Sequence, residues 1–103
     1  MSVLVEFAMF PTDKGASVSE YVSKIIKMID ETGIDYQLTP MGTIFETETM
    51  AEALHLLNLS YQQIEKDCKR VYSSVKFDIQ PEKKNRINSK IKSIENKIGN
   101  VRK

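Results

Sequence analysis

An α+β fold, one antiparallel sheet with helices packed on one face, is predicted by three features of the chain. These are a nearly continuous apolar run near the start, a Pro-Met-Gly corner between two strand-like runs at the centre, and capped amphipathic helical patterns on both sides of that corner. At the corner, residues 34–39 and 43–47 flank Pro40, Met41 and Gly42, where proline fixes its own φ and glycine frees the next step of the backbone. The order that results is strand, helix, hairpin, helix, strand.

The opening run, VLVEFAMF over residues 3–10, has the length of a strand and enough apolar character to be central and buried on both faces. Alternation puts Val3, Val5, Phe7 and Met9 on one side and Leu4, Glu6, Ala8 and Phe10 on the other. Glu6 stands out there. A carboxylate among apolar neighbours has to be paired, hydrated or neutral. A salt bridge at an oligomer interface is the plainer reading, and a counter-ion for a cationic ligand is the functional one.

Ser17 with Glu20 forms the pattern of a capping box, followed by an apolar stripe of Val18, Tyr21, Val22, Ile25, Ile26 and Ile29, with Gly33 placed to end the helix in a left-handed turn. Thr49 with Glu52 repeats the box ahead of a face made of Ala53, Leu54, Leu57, Tyr61, Ile64 and Cys68. Residues 70–79 then alternate as a fourth strand, with Val71, Ser73, Val75, Phe77 and Ile79 opposed to Tyr72, Ser74, Lys76 and Asp78. The hydroxyls of Ser73 and Ser74 can serve a ligand, or bond to backbone or water. From about residue 82 to 98, Ile87, Ile91, Ile94 and Ile98 recur at helical spacing, so a third helix packs through isoleucine while its lysines stay in water.

This order is the split βαβ pattern of the ferredoxin-like fold, a single domain over residues 1–103, with the two main helices on one face of the sheet. The other face, around Leu4, Ala8 and Phe10, is too apolar to be left to water, so a homo-oligomer is expected.

A chain of 103 residues, 41% hydrophobic and 28% charged, is ordinary for one soluble domain. Net charge is only +1, but residues 1–80 hold seven Lys/Arg against twelve Asp/Glu, and residues 81–103 hold eight against two. A basic tail on an acidic body is a solvated helix face before it is a nucleic-acid site, and no nucleic-acid binding is expected at physiological salt. The lone Cys68 and lone His55 cannot assemble a disulfide or a metal site, and no metal is expected. No signal pattern or membrane-length apolar run stands in the sequence, which favours the cytoplasm and no membrane partner. Phosphate loops, nucleophile elbows and zinc-protease motifs are absent, so no catalytic residue is assigned. Glu46 and Glu48 lie two apart on one strand face, a spacing that a solvated edge strand explains.

Three segments, VEFAMFP, YQLTPMGTIFE and KRVYSSVKFDI, together resemble the small thiamine-binding protein family over nearly the whole chain. The middle motif of that family is matched by Tyr36, Pro40, Met41, Gly42, Thr43 and Glu46. The resemblance implies a cytoplasmic ferredoxin-like protomer, assembled into dimers and tetramers, that binds thiamine or its hydroxymethylpyrimidine portion as a ligand, without a cofactor and without turnover.

A fixed thiazolium charge and an aminopyrimidine ring call for a carboxylate, hydroxyl or backbone acceptors, and an apolar slot. Glu6, Phe10, Met41, Thr43, Glu46, Ser73 and Ser74 are the parts available for a ligand site. Strict alternation sends Thr43 and Glu46 to opposite faces, so both reach one ligand only through a bulge or across a subunit boundary. The competing reading is a structural or regulatory interaction module that docks a partner on the open sheet face and the basic last helix.

Overall fold

The computed structural model describes residues 1–102, with the elements β1 (Ser2–Pro11), α1 (Val18–Thr32), β2 (Tyr36–Thr39), β3 (Gly42–Thr47), α2 (Met50–Gln62), β4 (Val71–Gln80) and α3 (Arg86–Ile98). The four strands form one antiparallel sheet in the order β2-β3-β1-β4, the ferredoxin-like arrangement. β1 is central as expected. Its alternation is also as expected: Val3, Val5 and Phe7 are buried together with Phe45 of β3, against Ile25 and Ile29 of α1 and Ala53 and Leu56 of α2. Phe7 and Phe45 meet edge-on, with ring centroids 5.7 Å apart. Each buried valine, leucine, isoleucine or phenylalanine side chain contributes about 1.5–3 kcal/mol through the surface it removes from water.

Several local expectations are corrected. Ser17 makes no side-chain cap: its φ of −88° and ψ of 18° lie outside the extended region an N-cap needs, because residues Gly15–Ser17 form a 3-10 turn whose Ser17 amide donates to the Lys14 carbonyl. The Thr49 cap does form, with the Glu52 amide donating to its hydroxyl oxygen at 3.1 Å. The face of α2 is the expected one in part: Ala53, Leu57, Ile64 and Cys68 pack on the core, but Leu56 and Ser60 take the places given to Leu54 and Tyr61. Ala53, Leu56, Ser60 and, past the helix end, Ile64 are buried, while Leu54 and Tyr61 are exposed. Ser60 can sit in the core because its hydroxyl donates to the Leu56 carbonyl at 2.8 Å, which removes the cost of an unpaired polar group.

β3 is interior, not an edge strand, and it stops at Thr47, so Glu46 and Glu48 are not a solvated strand pair. The third helix starts at Arg86, four residues later than expected. Pro81 and Glu82 turn instead, residues 83–85 are irregular, and Asn85 adopts a left-handed φ of 52°. Glu6 is not buried: its carboxylate is half in water, 3.7 Å from Lys76 Nζ on the neighbouring strand.

The open face is divided. α3 lies over one end of it, against β1 and β3, and leaves the end with Ala8, Phe10 and Tyr72 bare. The isoleucine stripe accordingly splits: Ile87 and Ile91 are half-buried, whereas Ile94 and Ile98 are 49% and 72% exposed.

Candidate functional site

The pairing register sets the site. β1 pairs with β4 along its whole length, from Ser2 opposite Gln80 to Pro11 opposite Val71, but its pairing with β3 ends at Phe7 opposite Thr43. Residues 8–11 of β1 therefore overhang the hairpin corner, with no strand partner on that side. Backbone N–H and C=O groups left free on such an edge are obligatory hydrogen-bonding groups that water or a ligand must satisfy.

The corner itself is held by Thr39, whose hydroxyl donates to the Gly42 carbonyl at 2.8 Å and accepts from the Met41 amide at 3.2 Å. Gly42 is required at its position. A Cβ there would stand 2.9 Å from the Phe7 carbonyl oxygen, so only glycine lets the corner approach β1 this closely.

Between the overhang, the corner and the first half of α1 lies a cavity of about 340 Å³, lined by Phe7, Phe10, Val22, Ile26, Leu38, Met41 and Thr43 among others, with no charged side chain. This size is within the range of small-molecule sites. Thr43 is 5% exposed, and its hydroxyl has no hydrogen-bond partner among the described residues. It is also not sealed from solvent, so it opens onto the cavity. Phe10, Met41 and Thr43 are thus brought together at one cavity.

Four of the seven expected ligand residues lie elsewhere. Ser74 is opposite Ala8 on the open face and Ser73 opposite Met9 on the helix side, both exposed. Glu6 faces Lys76 on the open face. Glu46 is opposite Leu4 and therefore on the face away from Thr43, as alternation requires.

Glu46 is occupied by the chain itself. Its carboxylate accepts from the Arg86 and Ile87 amides at 3.0 and 3.3 Å, capping α3, and from the Ser2 hydroxyl at 2.5 Å. Arg86, 3% exposed, completes the pin: Nε donates to Ser2 Oγ at 2.9 Å, Nη2 to the Ser2 and Asp78 carbonyls, and Nη1 lies 2.9 Å from Asp78 Oδ2. Nη1 makes no aligned hydrogen bond, so its contact with Asp78 is one of charge.

Burial pushes the Glu46 carboxyl up, but the Ser2 hydroxyl, the two amides and the Arg86 charge pull it down further, to a net value below the ordinary one. Asp78 is likewise lowered, by its contacts with Arg86 and Lys90. Sequence reasoning passed over Ser2 and Arg86, because an arginine in a lysine-rich tail reads as one more solvated charge. Its position ahead of the isoleucine stripe was the available signal.

A second hollow, of about 280 Å³, lies on the other side of Glu46 and collects Asp35, Glu46, Glu48 and Glu52 with Lys84. Among the described residues no cluster has the donors of a metal site, and no helix is long and apolar enough to cross a membrane.

Compared with known proteins, residues 5–95 match the family model of the thiamine-binding protein. The UPF0045 protein of Methanocaldococcus jannaschii is 35% identical over 92 residues, 89% of this chain and 91% of that one. Its crystal structure superposes with a TM-score of 0.79, covering 90% and 95% of the two chains. The Bacillus subtilis UPF0045 protein YqgV is 33% identical over 82 residues, 76% of this chain and 79% of its own. A Thermotoga maritima structure, described as that of a candidate thiamine biosynthesis/salvage protein, shares the fold with a TM-score of 0.79 at 19% identity, over 91% of this chain and 99% of that one. With nearly all its length matched, the chain belongs to the thiamine-binding protein family.

Proposed function

We propose that this protein reversibly binds thiamine or its hydroxymethylpyrimidine portion, without transforming it, in the cavity under the hairpin corner. What supports the reading is the cavity: an uncharged apolar slot with one free hydroxyl, Thr43, beside an unpaired strand edge, in a chain of the thiamine-binding family.

An aminopyrimidine is flat and neutral, carries both donors and acceptors, and suits such a slot. Phe10 and Met41 supply apolar contact, Thr43 orients the polar edge, and the backbone of residues 8–11 offers further bonds. The thiazolium charge then lies toward the mouth. Glu46 is already bonded to α3, and Glu6, half in water beside Lys76 on the open face, acts on that charge only at long range. Ser73 and Ser74 serve at the rim at most. The protein works as a cytoplasmic homo-oligomer whose bare Ala8–Phe10–Tyr72 surface is covered by another copy, in a dimer of dimers.

In a thermal-shift panel, thiamine and the free pyrimidine are expected to raise the melting temperature where unrelated metabolites do not. A ligand present at 100 times its Kd stabilises the native state by about 2.7 kcal/mol. By calorimetry, Thr43→Val is expected to weaken thiamine by about 1 kcal/mol through one lost hydrogen bond. Glu6→Gln is expected to cost less than about 1 kcal/mol, the range for an exposed charge, and to leave the neutral pyrimidine unaffected. A protein that binds neither compound overturns the proposal and leaves the interaction-module reading in its place.

A further inference from the structure

We propose that Met41 is a reversible oxidation site: a peroxide converts its thioether to the sulfoxide and thereby weakens ligand binding in the cavity under the hairpin corner. The proposal adds a regulation to the binding proposed above and rests on it. The five methionines of the chain have different surroundings. Met9, Met28 and Met50 pack against the core and Met1 is 44% exposed, whereas Met41 stands 88% exposed. A side chain that far out in water adds little to the packing, so its modification leaves the fold intact. Met41 nevertheless lines the cavity, together with Leu38, and so stands at its mouth. The backbone that carries it is fixed there by Pro40 and by its own amide, which donates to the Thr39 hydroxyl at 3.2 Å.

The sulfur lone pair attacks one oxygen of hydrogen peroxide. The S–O bond forms as the O–O bond breaks, sulfur gives up two electrons, and the second oxygen takes the proton of the first and leaves as water. Cys68 does not compete for the oxidant. It packs against the core, and burial pushes its thiol above the ordinary value, so little of it is the thiolate that reacts with peroxides. What the oxidation changes is polarity. A thioether is apolar, polarisable and suited to contact with a flat ring, whereas the sulfoxide oxygen has to stay hydrogen-bonded. The cavity holds no charged side chain, and the Thr39 hydroxyl is taken up by the corner itself. Closing the oxidised side chain over a ligand strips water from the sulfoxide. The donors that could replace that water, the Thr43 hydroxyl and the free edge of β1, are the ones the ligand uses, so the sulfoxide and the ligand compete for them.

Under dilute hydrogen peroxide, peptide mass spectrometry is expected to find Met41 oxidised roughly tenfold faster than Met9, Met28 or Met50, as their burial requires. Saturating free hydroxymethylpyrimidine is expected to slow the Met41 reaction roughly fivefold, because a ligand that the sulfoxide repels must protect the thioether in the same measure. By calorimetry, folded protein oxidised at Met41 is expected to bind the pyrimidine roughly fivefold more weakly. Methionine sulfoxide reductases acting on both sulfoxide epimers, with a dithiol, are expected to restore the affinity: two thiols become a disulfide and the oxygen leaves as water. Met41→Leu, whatever its own affinity, is expected to keep it through the same treatment, which separates Met41 from Met1. Circular dichroism on each sample checks the fold. A protein that binds the pyrimidine equally well before and after oxidation at Met41 overturns the switch and leaves the binding proposal standing, and so does one whose core methionines oxidise as fast as Met41. A protein that binds neither thiamine nor the pyrimidine overturns both.

Discussion

Replacing Arg86 with methionine is expected to lower the stability of the protein by about 3 kcal/mol and to free α3 from the sheet. Removing one partner of a buried pair costs roughly 3–5 kcal/mol; the lower figure applies because Asp78 is half in water and can rehydrate. What it leaves behind is the buried Ser2 carbonyl and hydroxyl, whose donors are gone. α3 touches the sheet mainly through Ile87, Ile91 and this pin, so helical signal is expected to fall before the sheet unfolds. Urea titrations followed by far-ultraviolet circular dichroism and by tyrosine fluorescence would then no longer coincide. A variant within 0.5 kcal/mol of the parent, a shift of the size ordinary for a surface substitution, would show that the pin carries no stability. Arg86→Lys keeps the charge but not the planar fork, and is expected to recover only part of the loss.

Acid acts on the same pin. Glu46 and Asp78 both titrate below their ordinary values of 4.5 and 3.8 in the folded chain, so the unfolded chain binds protons more readily. Their contribution is complete above those ordinary values and is lost as pH falls through the lowered folded ones. The Arg86→Met variant is expected to lack this part of the acid dependence. A stability profile below pH 5 that runs parallel in the two proteins would count against the assignment.

Gly42→Ala is expected to reduce thiamine affinity at least tenfold, about 1.4 kcal/mol, by a route that touches no ligand atom. The added methyl meets a backbone oxygen, which cannot rotate aside, so the corner must move away from β1 and carry Met41 and Thr43 with it. Stability is expected to drop by about 1–3 kcal/mol, the usual cost of overpacking. Gly33→Ala is the control. It also strains the chain, since Gly33 has a φ of 78°, but open space surrounds it away from the cavity. Calorimetry that finds both variants binding like the parent would remove the corner from the site.

The sheet and its covering helices were legible in the sequence because they rest on local periodicity. The apolar run of β1, the Pro-Met-Gly corner, Gly33 and the Thr49 cap each act within a few residues, and each appears where the pattern put it. Ser17 shows the limit even there, since a cap depends on a backbone angle that the preceding turn decided. Leu54 was misplaced because it is as apolar as Leu56, and only the position of the sheet chooses between them.

By itself the sequence determined the ferredoxin-like order, the core face of β1 and the opposite facing of Thr43 and Glu46. The tertiary structure decided where the carboxylates are spent. Ser2, Glu46, Asp78 and Arg86 lie up to 84 residues apart in sequence and meet only when α3 folds back over the open face, which turns an expected counter-ion into a helix cap. The cavity likewise exists because β1 outruns β3 by four residues, and that mismatch is a property of strand register rather than of either strand. Periodicity reports which face a side chain takes; it carries no information on which distant group arrives to meet it.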